Sequence, residues 1–182
     1  MNFRECYSRL LYIADRDRSQ SEIDNDTFQD SADVYERIFL SCSQEVYIFA
    51  RGIKEQIFNN TRVSEAAINF LSKENTKLKF TLRAKDKEDY EKTINSPFLN
   101  TLKDLFPAKG KIEVEFYEGG DDWLDSIGST TIGDDRIYRY RYLQSEYRAT
   151  SRAHICFNAP DKCLEFIEKI DLALLNTEQF SV

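Results

Sequence analysis

The chain has one histidine, His154, among its 182 residues, so any catalytic triad, Cys-His pair or multi-histidine metal centre would depend on that single imidazole. Its four cysteines, Cys6, Cys42, Cys156 and Cys163, lack Cys-x-x-Cys spacing, which removes the common zinc and redox motifs. They sit singly in apolar patterns, as reduced core thiols do, and the expectation is a reducing compartment. No glycine-rich phosphate loop follows a predicted strand, and no apolar run reaches membrane-spanning length. Arg4, Glu5 and Arg9 interrupt the first apolar residues, against the secretory pattern. The expected location is cytoplasmic, with no membrane contact and no cofactor.

Aromatic residues make up 13% and apolar residues 41% of the chain, enough for a sizeable core without cross-links or metals. The net charge of −7 repels a phosphate backbone overall, so nucleic-acid binding would need a local basic patch. Only three prolines interrupt the chain, and it reads as one α/β domain over 1–182.

Phe3, Cys6, Tyr7, Leu10, Leu11 and Ala14 have helical spacing, and a polar stretch from Asp15 to Asp26 reads as a long loop. A second helical stripe, Phe28 to Cys42, precedes Val46 to Ala50, an apolar run of the kind found in central strands. Asn60 or Thr61 caps a helix carrying Val63, Ala66, Ala67, Phe70 and Leu71, and Leu78, Phe80 and Leu82 alternate with polar residues as a strand does. A polar run of acids and lysines from Lys85 to Lys92 leads to a helix opened by Pro97, and then to a strand at Ile112, Val114 and Phe116. Two strand-helix-strand units in succession predict parallel strands with crossover helices.

After Gly119-Gly120 the pattern changes. Gly133-Asp134-Asp135 predicts a hairpin turn between a strand near Ser129 to Ile132 and another from Arg136 to Tyr142. Ala153 to Phe157 reads as a further strand before a helix carrying Cys163, Leu164, Ile167, Ile170 and Leu174. The expected fold is a mixed, mainly parallel sheet with helices on both faces and a C-terminal antiparallel hairpin.

This order of elements resembles one half of the phospholipase D superfamily. The resemblance divides the chain into an N-terminal helix and loop (1–25) and a phospholipase D-like core (26–176). The family's motif is His-x-Lys-x4-Asp, in which the histidine attacks phosphorus and the lysine neutralises phosphate oxygens, with two copies meeting in one chain or across a dimer. His154 to Asp161 has that spacing with Cys156 in place of the lysine. A second placement, preferred on topology, puts the motif strand at Ser129 to Asp134, where neither histidine nor lysine stands. The resemblance then implies a relative with a degenerate motif, an interaction or regulatory module such as a subunit of a bacterial antiphage defence complex. Its expected partners are a protein or a second copy of itself. The alternative is a phosphodiesterase or nuclease using His154 across a homodimer.

Period-two geometry puts Tyr138, Tyr140 and Tyr142 on one face of their strand and Ile137, Arg139 and Arg141 on the other. With Arg148 and Arg152, the arginines form a candidate phosphate or nucleic-acid patch. Packing of the tyrosines on the core, with the arginines paired to carboxylates, is the competing reading. Asp121, Asp122 and Asp125 surround Trp123 without the oxygen-ligand pattern of a calcium loop, so no metal is expected and Trp123 is a candidate partner contact.

Overall fold

The computed structural model describes residues 3–25, 27–84, 86–117, 128–141 and 153–175. Seven strands form one open sheet in the order β1-β7-β6-β5-β2-β3-β4. The parallel part comprises β2 (Glu45–Ala50), β3 (Lys77–Arg83) and β4 (Ile112–Tyr117), with Ile48 opposite Phe80 and Phe80 opposite Val114. The antiparallel part comprises β5 (Ser129–Gly133), β6 (Ile137–Arg141), β7 (Ala153–Cys156) and the short edge strand β1 (Ile23–Asn25). The two parts join where β5 runs antiparallel to β2.

Crossover connections supply helices on one face. They are α3 (Glu55–Phe58) and α4 (Thr61–Leu71) between β2 and β3, then α5 (Lys87–Ile94) and α6 (Pro97–Leu105) between β3 and β4. The amino-terminal helices α1 (Phe3–Arg16) and α2 (Phe28–Ser41) cover the same face. A capping box fixes the start of α2: the Thr27 side chain accepts from the Asp30 amide, and the Asp30 carboxylate accepts from the Thr27 amide. Val46, Ile48, Phe80, Leu82, Ile137 and Ile155 are among the sheet residues that contribute to this core. Helix α7 (Pro160–Leu175) covers part of the other face, its Phe166 ring lying 5.3 Å from Tyr138 and 4.8 Å from Tyr140 between centroids. On that face β3 and β4 carry charge, with Lys77 and Glu113 at 2.7 Å and Lys79 and Glu115 at 3.5 Å.

The hairpin joining β5 to β6 turns through Asp134 and Asp135, both left-handed at φ 47° and 53°, a conformation short polar side chains tolerate better than most. The Asp134 carboxylate also accepts from the amides of Ser43, Gln44 and Glu45 at 2.8–3.0 Å, tying the hairpin to the entry of β2.

Two expectations need correction, and the structure adds one helix where the sequence assigns no element. The stretch from Asp15 to Asp26 is not all loop, because Ile23–Asn25 pairs with β7, and residues assigned to an appendage before the core therefore complete the sheet. Only Ile23 packs against the core from that strand, so hydrophobic periodicity carried no signal for it. The added helix is α5, which takes in most of the polar run at Lys85 to Lys92, is capped by Asp86 and packs through Tyr90, Thr93 and Ile94. Cys6 is exposed, whereas Cys42, Cys156 and Cys163 are buried; all four are free thiols.

Candidate functional site

In open α/β sheets, strand ends and loops at the carboxyl edge of the parallel strands are where ligands bind, because backbone groups and loop side chains converge there. In this chain that edge is basic. Arg83 ends β3, Arg51 follows β2 and Arg141 ends β6 opposite Ser129. Arg139 lies one pleat below Arg141 on the same face.

The sequence offers Arg139 as one of four arginines in a surface patch with Arg141, Arg148 and Arg152, or as the partner of a carboxylate. The structure gives it neither place. Arg139 is 3% exposed. Its Nη2 donates to Asn25 Oδ1 at 3.2 Å and to Ser31 Oγ at 3.2 Å, and its guanidinium stands 5.2 Å from the centre of the Tyr35 ring. Tyr35 is held in turn by a 3.0 Å hydrogen bond between its hydroxyl and Thr131 Oγ1. Among the described residues no carboxylate contacts Arg139, its Nε has no hydrogen-bond partner, and neither has Asn25 Nδ2. A full charge is therefore buried against two neutral oxygens and a ring face, which costs several kcal/mol unless something compensates it.

His154 belongs to the opposite face. It pairs with Tyr140 across β6 and β7, whereas Arg139 pairs with Ile155, so the pleat sends the imidazole and the guanidinium to different sides of the sheet. On its own side His154 has an orienting group, Asp24 Oδ1, 2.8 Å from its Nδ1. That arrangement leaves Nε2 as the chemically interesting nitrogen. Asp24 comes from β1, so its partnership with His154 was hidden in a stretch that reads as loop.

Tyr138 and Tyr140 are buried against α7, and the Tyr138 hydroxyl donates to Glu22. Burial, reinforced by that carboxylate, holds the Tyr138 phenol well above its ordinary pKa. Arg148, Arg152, Tyr142, Trp123 and the acidic cluster at Asp121, Asp122 and Asp125 lie outside the described residues. No group of three potential metal ligands occurs among the described residues. No described helix is long and apolar enough to cross a membrane.

A second polar cluster lies between α1, α2 and α4. The buried Asp33 carboxylate accepts from Arg62 at 2.5 Å and Gln29 at 3.2 Å, and Arg62 also engages Glu36. Asp33, Glu36 and Arg62 line a cavity of about 250 Å³ together with Arg37. Cation and carboxylates face one another there, so its charge is balanced within the chain.

The residues that complete the Arg139 environment, Asn25, Ser31, Tyr35 and Thr131, were not singled out by sequence. The capping box Thr27-Phe28-Gln29-Asp30 was the available signal, because it fixes the start of α2 and hence the placement of Ser31 and Tyr35 on that helix.

This architecture is a phospholipase D-like α/β fold, as its structural neighbours show. The sequence matches no family model, and no curated protein resembles it in sequence. Among solved structures it is similar to Nuc of Salmonella typhimurium, a phospholipase D family member, with TM-score 0.52 and 9% identity over 89% of this chain and 99% of that one. Phosphatidylserine synthase of Haemophilus influenzae Rd KW20 gives 0.54 and 14% identity, covering 88% of this chain and 39% of that one. TrmBL2, an archaeal chromatin protein whose structure shows a novel mode of DNA binding, gives 0.60 and 12% identity over 96% of this chain. The chain spans 62% of the length of TrmBL2.

Proposed function

We propose that this chain is a phospholipase D-like module that binds without hydrolysing, working through a protein partner or a second copy of itself. A subunit of a bacterial antiphage assembly is the setting its resemblance implies. The observation supporting this reading is the separation of His154 from Arg139 by the sheet. A histidine nucleophile at phosphorus needs cations beside the developing oxyanions, and the nearest strand arginine on β6 points the other way. The strand before the hairpin offers only the hydroxyls of Ser129, Thr130 and Thr131 in their place. Co-purification of the tagged full chain from its native host, combined with light scattering, tests the reading. A defined hetero-complex or dimer is expected, and a strictly monomeric protein with no partner refutes it.

Two observations favour other readings. The Asp24–His154 pair is the orienter-and-base geometry that nucleophilic catalysis uses, and it supports the phosphodiesterase or nuclease alternative with His154 as its catalytic residue. Hydrolysis of an activated phosphodiester that disappears in His154→Ala would establish that alternative; equal background rates in both proteins would end it. The half-buried Arg51 and Arg141 at the strand edge, together with the DNA-binding neighbour TrmBL2 and the phospholipase D-like fold, support nucleic acid as a ligand. That reading extends to Arg148 and Arg152. Fluorescence anisotropy with labelled DNA should then show binding at low salt that weakens in Arg141→Ala, and no binding at low salt removes it.

A further inference from the structure

We infer that Arg139 is the receptor for a small tetrahedral oxyanion of the phosphate class. The assignment goes beyond the binding-module reading, because it concerns a ligand inside the domain and holds whichever partner the surface meets. Its basis is an imbalance of charge. Arg139 is 3% exposed, yet the described polar partners of its guanidinium are an amide oxygen and a serine hydroxyl, neither of them charged. Buried arginines are ordinarily matched to carboxylates, and in this chain even the much more exposed Arg62 is matched to Asp33 and Glu36.

The donors left over belong together. Arg139 Nε and Asn25 Nδ2 are both buried and both without an acceptor, and the two side chains are already joined through Nη2 and Oδ1. A guanidinium edge with an adjacent amide N–H is a donor set that suits an oxyanion, and an anion would supply the missing negative charge in the same step. Burial decides the size of the ligand. A duplex backbone cannot reach a side chain this enclosed, whereas free phosphate or a terminal phosphomonoester can enter if Asn25 lifts. Asn25 ends a strand of only three residues at the sheet edge, an element that opens locally at low cost.

The experiment is a thermal-denaturation titration of the full chain with sodium phosphate against sodium chloride at matched ionic strength. Arg139→Gln and Asn25→Asp accompany the wild type. Asn25→Asp is the informative variant, because it removes an amide N–H that has no partner and supplies Arg139 with a carboxylate in place. The wild type should show a saturable rise in Tm with phosphate beyond the chloride control. Asn25→Asp should melt higher than wild type without phosphate and bind phosphate roughly tenfold more weakly or worse, as loss of a charge-assisted contact implies. Arg139→Gln should lose the response if it folds. A 5′-phosphorylated trinucleotide compared with its unphosphorylated form separates the two sources: a response to free phosphate alone assigns the inorganic ion, and a stronger response to the phosphorylated trinucleotide assigns a terminal phosphate. Equal phosphate responses in wild type and Asn25→Asp, or no saturable response in wild type, would overturn the inference.

Discussion

Gly133 is a position where this fold has no room for a side chain without movement of its neighbours. A Cβ built there would lie 2.5 Å from Cys42 Sγ and 3.5 Å from both Ile137 Cβ and Ile38 Cγ2. Ordinary contact distances for such atoms are about 3.5–4 Å, so the sulfur must retreat by roughly 1 Å into a core where Ile38 is fully buried. Gly133→Ala is therefore expected to cost about 1–3 kcal/mol, the usual range for overpacking. Cys42→Ala alone removes one buried sulfur and should cost about 1 kcal/mol. In the double variant the new methyl enters the space the sulfur leaves, and the combined loss should fall short of the two single losses together by about 1 kcal/mol or more. Urea unfolding at 25 °C, with unchanged m-values as the test of two-state behaviour, measures all four proteins. Strict additivity would show that β5 does not pack on the end of α2 as described, and the placement of Thr131 against Tyr35 would fall with it.

Other outcomes follow from burial and charge. Cys6 alone should react with a maleimide in the native protein at pH 8, because it is exposed while burial pushes the Cys163 thiol up to about 12 and holds Cys42 and Cys156 high as well; mass spectrometry of labelled peptides reads this. Burial likewise raises the Tyr47 phenol from near 10 to about 12 and shifts Tyr117 and Tyr138 in the same direction. A pKa raised on folding contributes stability that is complete below the unfolded value and lost above it, so unfolding free energy should fall between pH 10 and 12 by up to about 1.4 kcal/mol per pH unit for each such tyrosine. A flat profile in urea melts across that window would contradict their burial. Asp134→Ala strips acceptors from three backbone amides and should destabilise the protein by about 1–2 kcal/mol, with Asp134→Asn recovering part of the loss. Equal stability of Asp134→Ala and wild type in the same melts would show that those contacts contribute nothing.

The parallel strands, the hairpin and the final helix were legible because each announces itself by local periodicity: Leu78, Phe80 and Leu82 alternate, and Leu164, Ile167, Ile170 and Leu174 return at helical spacing. What sequence reading missed lies where few residues are apolar. β1 has three residues, two of them polar, and its place is set by pairing with β7 far along the chain. The same blindness explains the site. Arg139 was visible as one of several alternating arginines, but its burial depends on Asn25, Ser31 and Tyr35 arriving from distant segments, and alternation only says that Arg139 and Arg141 share a face. His154 was visible as a lone imidazole, and Asp24 beside it was not, because the partner comes from the same short strand.

The pairing of β1 with β7 also dictates when the protein can be finished. Asn25 and Arg139 are 114 residues apart, and at ~5–20 residues per second of synthesis roughly 6–23 seconds separate their appearance. Throughout that interval the parallel strands β2, β3 and β4 can assemble under α2, while β1 still lacks β7, the strand it pairs with. The newborn chain thus carries an unpaired strand until β7 is made, and Arg139 meets Asn25 only after that strand is in place. A chaperone or an assembling partner that engages the nascent chain would find the Asn25 strand open throughout that interval, and open only by local fluctuation once β7 has paired with it.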